Sequence, residues 1–342
     1  MPTSRFICTL LATFGAAPAA LCGCGQGLGL YASFRSEWIG PEDARTDLAR
    51  GHLYDRDHWE VLACSNPWAE DAFSSGGRPE CEEAPLGTLD EQVFYLVGDV
   101  PITFRWIPKG KALLGSPETE LHRNREEERE YEYSATGYWL GKYEVTQTQW
   151  KAMMASNPSI FDGKKANHAS GMDTSQFPVE NISWDDCQAF LLRLNGLPDI
   201  DKVFGKGAKF RLPHEKEWEY ACRGGKGNRD PFYFGSVLNG AGANCFGPAP
   251  YGTVMKGPYL RRTSRVGSYA KLAPHPWGLC DMHGNVWEWC DNLHTPGDLF
   301  RACRGGAWIN DAKDCRAANR GWNTPDERCG YVGMRVACSI AE

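Results

Sequence analysis

Beyond its first two dozen residues the chain has no apolar run long enough to cross a bilayer. It has no Cys-x-x-Cys pair and no Cys/His ladder with zinc spacing, which excludes a zinc-finger type of site. No run of Lys or Arg is long enough to follow a phosphate backbone, and the formal net charge is −6, so nucleic acid is excluded as a partner. It has neither an internal repeat nor a low-complexity segment, which excludes a repeat array. The 342 residues leave room for one large domain with an extension, or for two modest domains. Thirteen Trp and 38 Gly supply many rings and many turns, the composition of a compact fold rich in irregular backbone.

Residues 1–23 read as an export signal. Arg5 is the only charge before Arg35, Phe6 to Ala20 is apolar but short, and Ala17-Pro18-Ala19 suits cleavage. Leu21-Cys22-Gly23-Cys24 resembles a bacterial lipobox, with Cys24 as the acylated residue and an unusual Cys at its second position. The expected location is therefore periplasmic or extracellular, with a lipid anchor at Cys24 as the alternative to a soluble form. Eleven of the 14 cysteines follow this region, and in an exported chain that abundance favours disulfides.

Residues 25–92 form a loosely patterned extension in which Cys64 and Cys81 are expected to staple a loop. His58-Trp59-Glu60 has the spacing of an iron ligand pair, but no second histidine completes the set and a surface loop is the better reading. From residue 93 to 342 the pattern tightens into a domain. Strands are expected at Val100–Pro108, Gly110–Ser116 and Gly137–Val145, with a charged, solvated connection at Asn124–Tyr133. Thr146 is a natural N-cap for a helix burying Trp150, Met153 and Met154. Ser183 caps a second helix with Asp186 in its third position and Phe190, Leu191 and Leu194 inward. Pro213 opens a third, which Gly224-Gly225 ends, and residues 226–276 are mostly loops. Arg304, Arg316, Arg320 and Arg335 lie in buried-looking contexts and need acidic partners.

The stretch from Asp281 to Cys290, Asp-Met-His-Gly-Asn-Val-Trp-Glu-Trp-Cys, concentrates the chemistry. Asp281 and Glu288 can supply carboxylate oxygens, and Gly284 and Val286 backbone carbonyls, an oxygen-only set of the kind Ca²⁺ takes. Trp287 and Trp289 alternate with Glu288, so an extended segment buries both rings on one face and turns the glutamate to the other. The bland alternative is an aromatic strand with a solvated glutamate.

Taken in order, Ile107-Pro108-Lys-Gly, Leu114-Gly-Ser, Lys142-Tyr-Glu-Val-Thr, Pro178-Val-Glu-Asn-Ile-Ser-Trp, Arg211-Leu-Pro, Glu217-Trp-Glu-Tyr-Ala, Gly284-Asn-Val-Trp-Glu-Trp, Arg304-Gly-Gly and Gly333-Met-Arg-Val resemble the sulfatase-modifying-factor family of the formylglycine-generating enzyme. The resemblance implies a single compact α/β (α+β) domain with little regular secondary structure, related to C-type lectins. It places the family's central calcium site on Asp281, Gly284, Val286 and Glu288, and weakens a second near Asn244 and Cys245, whose downstream acid aligns with Pro258. The family holds Cu(I) between two cysteines five positions apart. Counted from Gly305-Gly306 these fall on Asn310 and Cys315, and counted back from Asn323-Thr-Pro-Asp even Cys315 leaves the pair. Thiolates are the ligands Cu(I) prefers, so copper does not carry over. The resemblance also implies disulfides Cys222–Cys315 and Cys187–Cys338, which leaves Cys315 only a weak catalytic candidate.

The leading expectation is a calcium-stabilised binding or accessory domain without oxidase activity. Its groove, lined by Trp287, Trp308, Asn310, Arg316 and Arg320, would take a peptide, protein or small molecule. The alternatives are an O₂-dependent oxidase that converts a sulfatase cysteine to formylglycine, with the sulfatase as partner, and a non-haem-iron oxidase of the same fold. The eight histidines show no iron-ligand spacing that supports the last.

Overall fold

The computed structural model describes residues 90–124, 130–225 and 228–340. The export signal with Cys24, the His58-Trp59-Glu60 motif and the Cys64/Cys81 staple lie outside the described residues. The chain is sheet-rich with few helices. A five-stranded antiparallel sheet orders β1 (Glu91–Leu96), β2 (Val100–Ile107), β5 (Tyr138–Gly141), β11 (Ala337–Ser339) and β6 (Lys209–Arg211). A four-stranded sheet places β10 (Val332–Gly333) parallel to β7 (Trp287–Leu293), followed by antiparallel β8 (Arg301–Arg304) and β9 (Gly321–Asn323). The hairpin of β3 (Gly110–Leu114) and β4 (Tyr131–Ala135) stands apart. Residues 131–133, expected in a solvated connection, thus belong to a strand paired with β3, because their alternating aromatic rings find a partner across the hairpin.

Helix α1 (Gln147–Met154) starts at Thr146, whose hydroxyl accepts the Gln149 N–H while the Gln149 side chain returns to the Thr146 N–H. Helix α2 (Trp184–Leu194) repeats the device with Ser183 and Asp186, and buries Phe190, Leu191 and Leu194. Such caps satisfy amide protons the helix cannot, each worth about 1 kcal/mol. After the short α3 (Ile200–Phe204) comes α4 (Glu215–Arg223), capped by His214 and not opened by Pro213. Pro213 sits one residue before the cap, where its extended backbone enters the turn, and Glu215 and Glu217 occupy the positive end.

The main core lies between the five-stranded sheet and α1, α2 and α3, while α4 packs in a second cluster with Ile107, Leu114 and Tyr138. The rings of Phe94, Phe104, Phe204 and Phe210 pack with centroids 5.1–5.9 Å apart, and Trp150 stacks on Phe190 at 5.2 Å. Full burial of one such ring contributes about 1.5–3 kcal/mol, enough to order a segment with few ladder hydrogen bonds. This core holds the backs of both sheets together and presents the turn before β7.

Candidate functional site

The turn Asp281–Val286 enters β7 through left-handed backbone at Asp281, Gly284 and Asn285. A Cβ on Gly284 would lie 2.3 Å from the Asn244 carbonyl, so only glycine allows that approach. The approach makes Asn285 a hub. Its N–H donates to Asn244 O at 2.8 Å, its Oδ1 accepts the Ser264 N–H (2.9 Å) and the Asn244 side-chain amide (3.0 Å), and its Nδ2 donates to Glu144 Oε2 at 2.9 Å. In the sequence Asn285 and Glu144 stand only as members of two separate family motifs. Their pairing across 141 positions leaves no local trace.

β7 buries Trp287 and Trp289 as expected, but it buries Glu288 as well, which overturns the solvated-glutamate alternative. Arg335 Nη2 lies 2.6 Å from Glu288 Oε1, Arg335 Nε lies 2.9 Å from Oε2, and the Trp218 indole N–H donates to Oε2 at 2.6 Å. These bonds occupy the lone pairs a cation would use, so the Glu288 carboxylate as held here does not fit the calcium ligand role. The neighbouring acids behave otherwise. Glu144 Oε1 is buried without a partner, and burial with nearby Asp281 and Glu288 pushes its carboxyl well above the usual range. Burial also raises Asp281 to about 6, against the hydrogen bond from the Gly267 N–H, which lowers it. Glu144, Asp281 and Glu288 thus share the one guanidinium of Arg335, whose single charge cannot offset all three carboxylates. Among the described residues no three His, Cys, Asp or Glu side chains form a metal-holding group, so a cation here would need backbone carbonyls too.

The other three arginines also find acids. Arg304 reaches Glu219 at 2.6 Å, Arg320 reaches Glu215 at 2.6 Å, and Arg316 reaches Glu120 at 2.5 Å. Arg316 is 1% exposed and also donates to the carbonyls of Lys313 and His122, so it does not line an open groove. Its correction has an electrostatic cause: a buried guanidinium is retained where carboxylate and carbonyls together replace water. Trp308, Asn310 and Arg320 remain partly exposed. Trp308 packs edge-on to Phe161 (centroids 5.3 Å), stacks on Tyr259 (6.3 Å) and donates to Gly330 O at 3.0 Å. Glu180 lies beside the same cluster, next to Phe161 and Gly330. Its Oε1 accepts the Phe161 N–H at 2.9 Å, its Oε2 is buried without a partner, and burial raises its carboxyl to about 7.

At the place of the first copper thiolate, the Asn310 amide oxygen accepts the Trp287 indole N–H at 2.9 Å. At the second, Cys315 is fully buried, turns its thiol to the Asp311 carbonyl at 3.7 Å and shares a buried cluster with Cys245. A spent amide and a sealed thiol do not fit Cu(I). No disulfide joins any two of the nine described cysteines in this structure, so neither Cys222–Cys315 nor Cys187–Cys338 is bonded here. The His283 ring lies between the first two, with Nε2 3.7 Å from Cys222 Sγ and Nδ1 2.7 Å from Cys315 O. Cys187 lies near Cys303, while Cys338 turns its thiol to Ser339 O at 3.6 Å. Burial lowers His283 to about 3 and its Nε2 accepts the Tyr233 N–H, so it is a structural acceptor and not an iron ligand.

Residues 101–340 match the model of the sulfatase-modifying factor enzyme 1-like domain. The chain is 32% identical over 181 residues to a formylglycine-generating enzyme of Streptomyces coelicolor, covering 47% of this chain and 52% of that one. It is 30% identical over 197 residues to the inactive C-alpha-formylglycine-generating enzyme 2 of Mus musculus, covering 53% and 56%. It is also 29% identical over 235 residues to the chaperone protein LppX of Paenibacillus barcinonensis, covering 59% and 80%. The chain therefore spans about half the length of these two formylglycine-generating-enzyme relatives. Among solved structures, Treponema denticola variable protein 1 superposes with a TM-score of 0.54 at 27% identity, over 72% of this chain and 98% of that one. PvdO from Pseudomonas aeruginosa gives 0.56 at 22%, over 72% and 97%, a likeness of fold alone. The fold is thus of the formylglycine-generating-enzyme type, related to C-type lectins, and the chain belongs to the sulfatase-modifying factor enzyme 1-like family.

Proposed function

We propose that this chain is an extracytoplasmic member of the family that binds a ligand at the Trp308 cleft without oxidising it. One observation carries the reading: Asn310, locked to Trp287, stands where the first copper thiolate is needed. The burial of Cys315 supports it, since a copper thiolate must meet a substrate sulfur at the surface. The mouse relative named inactive supports it as a precedent within the family. The cleft offers the indole of Trp308, backed by the buried Phe161 ring, beside the ring of Tyr259 and Arg261, a lining suited to a peptide or protein with an apolar anchor. A sulfatase-type peptide is one such ligand.

Calcium belongs to the proposal with a changed ligand set. Asp281 and the Gly284 and Val286 carbonyls keep their roles, and Glu144, with its unpartnered Oε1, takes the place of Glu288. A divalent ion there would offset the excess of carboxylates over Arg335 and brace the turn that carries β7.

The test uses the purified mature chain with Cu(I), Ca²⁺, air and a peptide containing Cys-x-Pro-x-Arg, read by mass spectrometry. Peptide recovered unchanged from folded protein is the expected result. Aldehyde at the peptide cysteine above the protein-free control would overturn the proposal and establish the oxidase.

A further inference from the structure

The contact between Cys245 and Cys315 has no part in ligand binding, yet the backbone is built to make it. The Phe246 N–H donates to Asn310 O at 2.8 Å, and Phe246 and Asp311 form an isolated parallel bridge. The following 3-10 turn, Ala312–Cys315, folds the chain back until Cys315 Sγ lies 3.7 Å from Asp311 O. That carbonyl belongs to the residue bridged to Phe246, so the chain brings the preceding residue, Cys245, into the same buried cluster as Cys315. Both are sealed in one cluster with Phe232, Leu238 and Tyr251, at 1% and 0% exposure. Gly306 closes the remaining side, since a Cβ there would stand 2.6 Å from Cys315 Sγ.

The geometry points to an intramolecular disulfide between Cys245 and Cys315, made during folding by exchange with a disulfide-bearing donor. One thiolate attacks a donor sulfur and expels RS⁻, leaving a mixed disulfide. The second thiolate attacks that bond and expels the other RS⁻. The protein thiols lose two protons and two electrons, and the donor R–S–S–R becomes two thiols. Exchange precedes closure of the cluster, because the native thiols have no solvent access. The bond closes a loop of roughly 70 residues, which removes conformations from the unfolded chain. It ties the segment between α4 and β7, whose described residues form no named helix or strand, to the 3-10 turn Ala312–Cys315. The bond stands or falls independently of the proposed function, since its readout involves no ligand.

The experiment refolds the full chain in a glutathione redox buffer, quenches, denatures, alkylates and maps the peptides. A linked peptide pair containing Cys245 and Cys315 is expected, lost on reduction, together with a fall of roughly 10 °C in the thermal midpoint. Cys245→Ala should leave Cys315 newly alkylated. Full alkylation of both cysteines in folded wild type, or capture of Cys315 by Cys222, overturns the inference. Should the variant fail to fold, the wild-type peptide map decides alone.

Discussion

Glu180 should make the stability of this protein fall as pH rises through the neutral range. Its side chain is fully buried, accepts the Phe161 N–H through one oxygen and leaves the other unpaired, with no cation against it. Lys165 exerts some attraction, but desolvation is the largest influence and lifts the carboxyl from 4.5 to about 7. The sign follows from linkage. Below pH 4.5 the folded and unfolded chains both carry the proton, and burial costs nothing ionic. Above pH 7 both have lost it, and the folded chain holds a poorly solvated charge. At about 1.36 kcal/mol per pKa unit the loss across that window is about 3 kcal/mol. Glu180→Gln is neutral throughout, and its amide oxygen can still accept from Phe161. Urea unfolding of both proteins at steps from pH 4.5 to 8 isolates this one group, because other carboxylates cancel in the difference. The variant should gain on wild type by about 3 kcal/mol across the series. A difference that stays constant within ~0.5 kcal/mol would show that Glu180 titrates as an exposed carboxyl, and the reasoning from burial would fail.

Arg335→Met should cost about 3–5 kcal/mol in chemical denaturation, because it strands Glu288 in the core; Glu288→Gln added to it should restore part of the loss. An unchanged midpoint in the single variant refutes the ion pair's role. Trp218→Phe keeps most of the ring but removes the N–H bonded to Glu288, with an expected loss of about 1.5–3 kcal/mol by the same measurement. Added Ca²⁺ should raise the thermal midpoint of wild type and not that of Glu144→Gln; an equal rise in both would move the cation away from Glu144. Ser183→Ala should destabilise by about 1 kcal/mol through loss of the α2 cap, and a neutral result would mean Asp186 alone secures the helix start.

Much of the scaffold was legible because its signals are local. Thr146 and Ser183 each act on amides three residues on, and the spacing of Phe190, Leu191 and Leu194 marks one helix face. The alternation of Trp287 and Trp289 marked β7, and the collinear motifs marked the family. The need of Arg304, Arg316, Arg320 and Arg335 for acids was also readable from their surroundings. Which acid each would meet was not, since Glu120 and Arg316 are 196 positions apart and no local pattern records the pairing.

Sequence by itself therefore determined most of the elements and the family, because residue identity and short spacing decide each of these. Tertiary structure alone decided who holds Glu288, where Arg316 is buried, and that Cys315 shares a buried cluster with Cys245 while His283 stands before Cys222. Those outcomes depend on distances between segments far apart in the chain. A carboxylate reads the same in sequence whether a guanidinium or a cation faces it, and only the packed fold separates the two.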